Sequence, residues 1–129
     1  MSTVTISRGY DFEAAHYLPN VPEEHKCRRM HGHSYRVTVY VTGSVQESGP
    51  EAGMVVDFGP LDDGWKALHA LWDHRPLNEI DHNPTVERMC PRVWEHFANL
   101  PRVKELGLSV RVCFAEGPRS TCIFPPVAP

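Results

Sequence analysis

The tripeptide His31-Gly32-His33 sets two imidazoles two residues apart. In an extended chain that spacing projects both side chains to one face, about 6–7 Å apart along the backbone. Two ring nitrogens can then converge on one ion at about 2.0–2.1 Å each. Gly32 adds no side-chain bulk between them. Alone, the pattern is also that of two ordinary polar strand histidines. His16 changes the reading, because it closes the first extended segment of the chain. A hairpin between the first two long strands would bring that end beside the start of the second, and a third imidazole with it. Three histidines without a fourth protein ligand form the open arrangement of a catalytic zinc site, with room for water or substrate.

Cys27 lies four residues before His31, beside Lys26, Arg28 and Arg29. Nearby positive charge favours thiolate, which would make Cys27 a reactive thiol. A small buried residue or a structural ligand is the other reading. The basic cluster itself is either a solvated patch or a contact for a phosphate-bearing substrate. Asp73-His74 reads either as an oriented acid–base pair or as a histidine favoured by the dipole at a helix C-terminus. Glu116, taken alone, is an exposed carboxylate. His25, His69, His82 and His96 carry no special role in this reading, and Cys90, Cys113 and Cys122 read as apolar filling.

The elements that must position these residues follow from periodicity. Val4 to Ala15 is rich in β-formers, and His33 to Ser44 alternates cleanly, with Tyr35, Val37, Val39 and Val41 on one face. The intervening stretch is polar and proline-containing, which is loop chemistry. Met54-Val55-Val56 is expected to resume the sheet. Leu61, Trp65, Leu68 and either Leu71 or Trp72 form the apolar stripe of a helix, with Pro60 in its first turn. After a loop from Asp73 to Asn83, Asn83-Pro84 is expected to start a second helix, as cap and first residue. Its stripe is Val86, Met89, Val93, Phe97 and Leu100, and Pro91 is expected to kink its first turns or delay its start. Leu108 to Phe114 and Thr121 to Phe124 read as strands, and residues 125–129 as a loose proline-rich tail. The order β-β-α-α-β-β predicts an α+β fold, an antiparallel sheet with two helices on one face, in a single domain over residues 1–129.

Composition narrows the function classes. Thirteen Lys and Arg against sixteen Asp and Glu leave a net charge of −3, too mild to point to nucleic acid or an anionic membrane surface. At 41% hydrophobic and 22% charged, the 129-residue chain has a globular composition. No apolar stretch approaches the roughly 20 residues needed to span a bilayer, and no basic segment followed by an apolar run opens the chain. The four cysteines are therefore expected as reduced thiols, and the protein as soluble and cytoplasmic.

In order along the chain stand Phe12-Glu13-Ala14-Ala15-His16, Cys27-x3-His31-Gly32-His33, Gly53-Met54-Val55-Val56-Asp57-Phe58, Asp73-His74-x2-Leu77-Asn78 and Asn83-Pro84-Thr85-x-Glu87. Together they resemble the 6-pyruvoyltetrahydropterin synthase family from residue 4 to about 124. The resemblance is strongest to its bacterial branch, the 6-carboxy-5,6,7,8-tetrahydropterin synthases of queuosine biosynthesis. The resemblance implies the tunnelling fold, a four-stranded antiparallel sheet backed by two helices, in homo-oligomers of trimers stacked into hexamers. It implies zinc on His16, His31 and His33, and a catalytic Cys27 with Asp73 and His74 completing the relay. Glu116 would anchor the pterin ring. The implied reaction converts 7,8-dihydroneopterin triphosphate to 6-carboxy-5,6,7,8-tetrahydropterin, releasing acetaldehyde and triphosphate. The alternatives are triphosphate elimination without side-chain cleavage, giving 6-pyruvoyltetrahydropterin, and a non-catalytic zinc- or pterin-binding assembly protein. Against the family pattern, Gly117 follows the pterin-binding glutamate where Thr is usual, Pro91 interrupts the second helix, and Trp72 replaces a smaller aliphatic residue before Asp-His.

Overall fold

A computed structural model describes residues 2–128; Met1 and the last residue of the expected tail, Pro129, lie outside it. Strands β1 (Thr3–His16), β2 (His31–Ser44), β3 (Ser109–Glu116) and β4 (Thr121–Phe124) form one antiparallel sheet in sequence order. Between β2 and β3 run helices α1 (Phe58–Trp72), α2 (Val86–Ala98) and the short α3 (Pro101–Glu105). The expected α+β architecture is what the chain adopts. Directly opposed residues of an antiparallel pair share a face. The pairs Phe12↔Tyr35, Tyr10↔Val37, Val37↔Phe114 and Val39↔Val112 thus build one apolar face, which is buried. Leu61, Trp65, Leu68 and Trp72 of α1 and Met89, Cys90, Val93 and Phe97 of α2 close the core over it. The α1 stripe resolves to Trp72, since Leu71 is 64% exposed.

Phe12 sits at the centre of the aromatic part of this core. Its ring stacks on Tyr35 with centroids 4.9 Å apart and meets Trp65, Trp72 and Phe114 at 5.8–6.1 Å. Trp72, the bulky residue ahead of Asp73, is therefore a wall of the core. Phe12→Ala would leave a cavity among four large rings, with an expected loss of about 3–5 kcal/mol. Urea unfolding of the variant against the parent measures it.

Four expectations are corrected. Met54-Val55-Val56 does not rejoin the sheet. Gly53, at φ 85°, turns the chain, and Gln46 engages the backbone of Gly53 and Met54, so Val55 and Val56 enter the core as loop residues. Helix α2 starts at Val86 with Thr85 as its cap, the Thr85 Oγ1 accepting from the Arg88 N–H at 3.3 Å. Asn83 and Pro84 lie outside the helix because the Pro84 carbonyl is committed elsewhere, to His16. Pro91 is accommodated inside α2, where the Glu87 carbonyl loses its helical donor. Leu108 ends outside β3, and α3 was not legible in the sequence.

The segment before α2 is held by a buried carboxylate. Asp81 accepts from the Asn83 N–H at 2.9 Å, from Arg88 Nε at 2.9 Å and from Arg92 Nε and Nη2 at 3.1 and 2.9 Å. These donors, Arg88 foremost, hold its carboxyl well below the ordinary range. A carboxyl whose folded pKa is depressed contributes stability that is complete above its unfolded value of about 3.9 and is lost as pH falls toward the folded one. Unfolding midpoints measured between pH 7 and pH 3 should therefore fall more steeply in the parent than in Asp81→Asn.

Candidate active site

The β1–β2 register places His16 opposite His31, and His33 opposite Ala14 one step further in. All three imidazoles therefore project from the same face at one end of the hairpin. Their ring centroids lie 4.6, 4.9 and 5.1 Å apart, and one nitrogen from each falls within 4.8 Å of the other two. Among the described residues no other group of three His, Cys, Asp or Glu side chains converges in this way.

Two rings are fixed from behind. His16 Nδ1 lies 2.9 Å from the Pro84 carbonyl and His31 Nδ1 lies 2.7 Å from the Arg29 carbonyl. A carbonyl only accepts, so each Nδ1 carries the proton and each Nε2 keeps its lone pair free. That is how metal-binding histidines are oriented by their outer partners. The third ring supplies the clearest sign of a missing partner: His33 Nε2 is buried with no hydrogen bond. Burial also lowers the His33 pKa and favours the neutral form, which is the form that ligates. The residues present therefore fit a divalent metal of the zinc type.

Glu116, read in the sequence as an exposed carboxylate, belongs to this cluster. It ends β3 opposite Tyr35, so it faces the histidines. Its Oε1 is 3.4 Å from His33 Nε2 and its Oε2 is 3.7 Å from His16 Nε2. Tyr35 forms the floor, its hydroxyl 3.5 Å from His16 Nδ1. Burial first, and the Glu116 charge second, raise the Tyr35 pKa, so it stays protonated. Sequence reasoning missed Tyr35 as part of the site, although the alternation two residues past His33 carried the signal.

Asp73 and His74 are brought to the outer edge of β1. Asp73 Oδ1 accepts the Glu13 N–H at 2.9 Å, the His74 N–H donates to the Glu13 carbonyl, and the Ala15 N–H donates to the Arg75 carbonyl. Asp73 Oδ2 lies 2.7 Å from His74 Nδ1 and 3.4 Å from His69 Nε2. The Glu13 and His74 hydrogen bonds keep the Asp73 carboxyl below its usual range, hence ionised. An ionised carboxylate only accepts, so His74 Nδ1 carries the proton and Nε2 is left as a base. His74 holds φ 57°, a left-handed conformation unusual for a side chain of this size and a mark of functional positions. The pair is thus a hydrogen-bonded carboxylate–imidazole unit rather than a simple helix-terminal histidine. His74 and His33 line one cavity of about 510 Å³, with Glu13, Met30, Ser34 and Arg75.

Cys27 occupies a 3-10 turn (Lys26–Arg28) and is half-buried. His25 caps this turn, its Nδ1 accepting from the Cys27 N–H, and the Cys27 carbonyl accepts from Leu18, two residues past His16. Cys27 is neither among the three converging ligands nor in the lining of the His74 cavity. Burial pushes the Cys90 thiol up to about 12 and raises that of Cys113, which disfavours the thiolate at both.

Residues 5–126 match the 6-pyruvoyl tetrahydropterin synthase family. The chain belongs to that family. A protein of Archaeoglobus fulgidus, provisionally named 6-carboxy-5,6,7,8-tetrahydropterin synthase, is 38% identical over 100 residues, 78% of this chain and 76% of that one. The 6-carboxy-5,6,7,8-tetrahydropterin synthase of Bacillus subtilis is 28% identical over 132 residues, covering 94% of this chain and 84% of its own. The structure of Caenorhabditis elegans 6-pyruvoyl tetrahydropterin synthase superposes with a TM-score of 0.80 over 96% of both chains, at 25% identity. Within this pterin synthase family the chain's Gly117 has a local cause. It sits at φ 74° in the β3–β4 turn, where threonine would be strained, and its N–H donates to the Ser34 carbonyl. Among the described residues no helix is long and apolar enough to cross a membrane.

Proposed function

We propose that the protein is a zinc-dependent lyase that converts 7,8-dihydroneopterin triphosphate to 6-carboxy-5,6,7,8-tetrahydropterin, releasing acetaldehyde and triphosphate. The convergence of His16, His31 and His33 within 4.8 Å, with His33 Nε2 buried and without a hydrogen bond, is the observation that carries this reading. His16, His31 and His33 would hold zinc, which would supply Lewis acidity to the oxygens of the substrate's side-chain hydroxyls and so acidify these and the adjoining C–H bonds. Glu116 accepts from the amino and ring N–H groups of the pterin, a charge-assisted pairing that fixes the ring's orientation. Cys27 and His74 exchange protons with the substrate side chain and the ring. Asp73 keeps His74 in the Nδ1-protonated tautomer, so that its Nε2 can take a proton and return it. The carbanion or enol formed in this way expels triphosphate and leaves two adjacent carbonyls on the side chain. One water adds to the carbonyl next to the ring, and the bond between the two carbonyl carbons breaks to leave the carboxylate and, after protonation, acetaldehyde.

We further propose a role in queuosine biosynthesis, a cytoplasmic location, and assembly as trimers stacked into hexamers. The likeness to the C. elegans enzyme favours a second reading, in which triphosphate leaves and the side chain is retained. Incubation of the zinc-loaded protein with 7,8-dihydroneopterin triphosphate separates the two. Acetaldehyde with 6-carboxy-5,6,7,8-tetrahydropterin supports the first, and triphosphate without acetaldehyde the second. Binding without either product would overturn both in favour of a pterin-sequestering role.

A further inference from the structure

We propose that Asp81 is a positioning residue for the metal site: it fixes the segment 81–85 so that the Pro84 carbonyl holds His16 with Nε2 turned toward the other two imidazoles. The inference rests on the three-histidine reading above and adds a residue that neither touches the ligands nor lies near them in sequence.

Asp81 and His16 are the two buried polar residues among those described, and one short segment connects them. The Asp81 carboxylate is 1% exposed and takes four N–H donors, one from the Asn83 backbone, one from Arg88 and two from Arg92. That number fills the acceptor positions of a carboxylate. Arg88 and Arg92 stand one turn apart on α2, so the carboxylate is fastened to a rigid element. Its own N–H donates to the Leu77 carbonyl at 3.0 Å. On the far side of Pro84, Thr85 caps α2 and its N–H donates to the Asn83 carbonyl. Pro84, whose ring fixes φ, is clamped between these anchors with its carbonyl 2.9 Å from His16 Nδ1.

A buried ion pair is weak evidence for stability, because apolar residues of the same volume often serve as well. What this cluster specifies is a direction: the carbonyl that sets the tautomer and orientation of one ligand. His31 takes its partner from the separate loop at Arg29, so it should be indifferent to Asp81.

The test uses the full chain in metal-free and zinc-loaded forms. In the metal-free parent, imidazole nitrogen NMR should show His16 as the Nδ1-protonated tautomer with its proton protected from exchange. Asp81→Ala should give faster exchange or mixed tautomers at His16 alone. It should also raise the zinc dissociation constant in chelator competition by about 10-fold, the lower end of what loss of outer support costs. Asp81→Asn, which keeps one acceptor oxygen, should fall between. A folded Asp81→Ala with parental His16 signals and parental zinc affinity would overturn the proposal. Should Asp81→Ala fail to fold, Arg92→Gln removes two of the four donors from a side chain that is 45% exposed. It should move both readouts the same way, and unchanged values there overturn the proposal equally. A parent that binds no zinc would defeat the lyase reading, while the His16 tautomer comparison would still decide the role of Asp81.

Discussion

His31→Ala is expected to lose zinc and turnover together. His31 is the most separable of the three ligands, since it opens β2, is half-buried, and is held from behind only by the Arg29 carbonyl. His16 is buried beneath the site, so its removal would confound ligation with folding. Two remaining imidazoles do not make the three-ligand arrangement of a catalytic zinc centre. Metal content after dialysis should drop from near one zinc per chain to near none, and turnover to background. Stability should change by only about 0.5 kcal/mol, as for a substitution away from the core. Circular dichroism and metal analysis of the same samples check both parts. Parental zinc in a folded His31→Ala would remove His31 from the ligand set.

Cys27→Ala separates chemistry from metal binding. The thiol lies outside the ligand group, so the variant should keep its zinc. Its turnover should fall by about 10²–10⁴-fold, the usual worth of a positioned proton-transfer group. Zinc stoichiometry and product formation on 7,8-dihydroneopterin triphosphate, read side by side, give the comparison. Loss of zinc with the thiol would make Cys27 a ligand instead of a proton carrier.

The strands and the histidine cluster were legible because period-2 alternation and hairpin pairing are local rules. Once β1 and β2 pair, His16 must meet His31, and His33 must face the same way. Glu116 was legible only through the family resemblance, because its place depends on the β2–β3 register across the whole helical segment, which sets it opposite Tyr35. Asp73-His74 was legible as a pair, with its orientation left open between an acid–base pair and a helix-terminal histidine. Its orientation comes from hydrogen bonds to the open edge of β1 and from the left-handed backbone at His74, and neither has a sequence signature. The helix start at Asn83-Pro84 failed for a related reason. A tertiary partner, His16, claims the Pro84 carbonyl, and Thr85 then provides the cap. Met54-Val55-Val56 was apolar enough for a strand, but its burial is met by loop geometry.

The central claim is that three imidazoles from one hairpin hold a single divalent ion. Anomalous scattering at the zinc edge from crystals grown with the metal tests it most directly. One peak per chain is expected, about 2.0–2.1 Å from Nε2 of His16, His31 and His33, with a coordination position open. A zinc-replete crystal with no peak among these rings, or with its peak on other side chains, would contradict it.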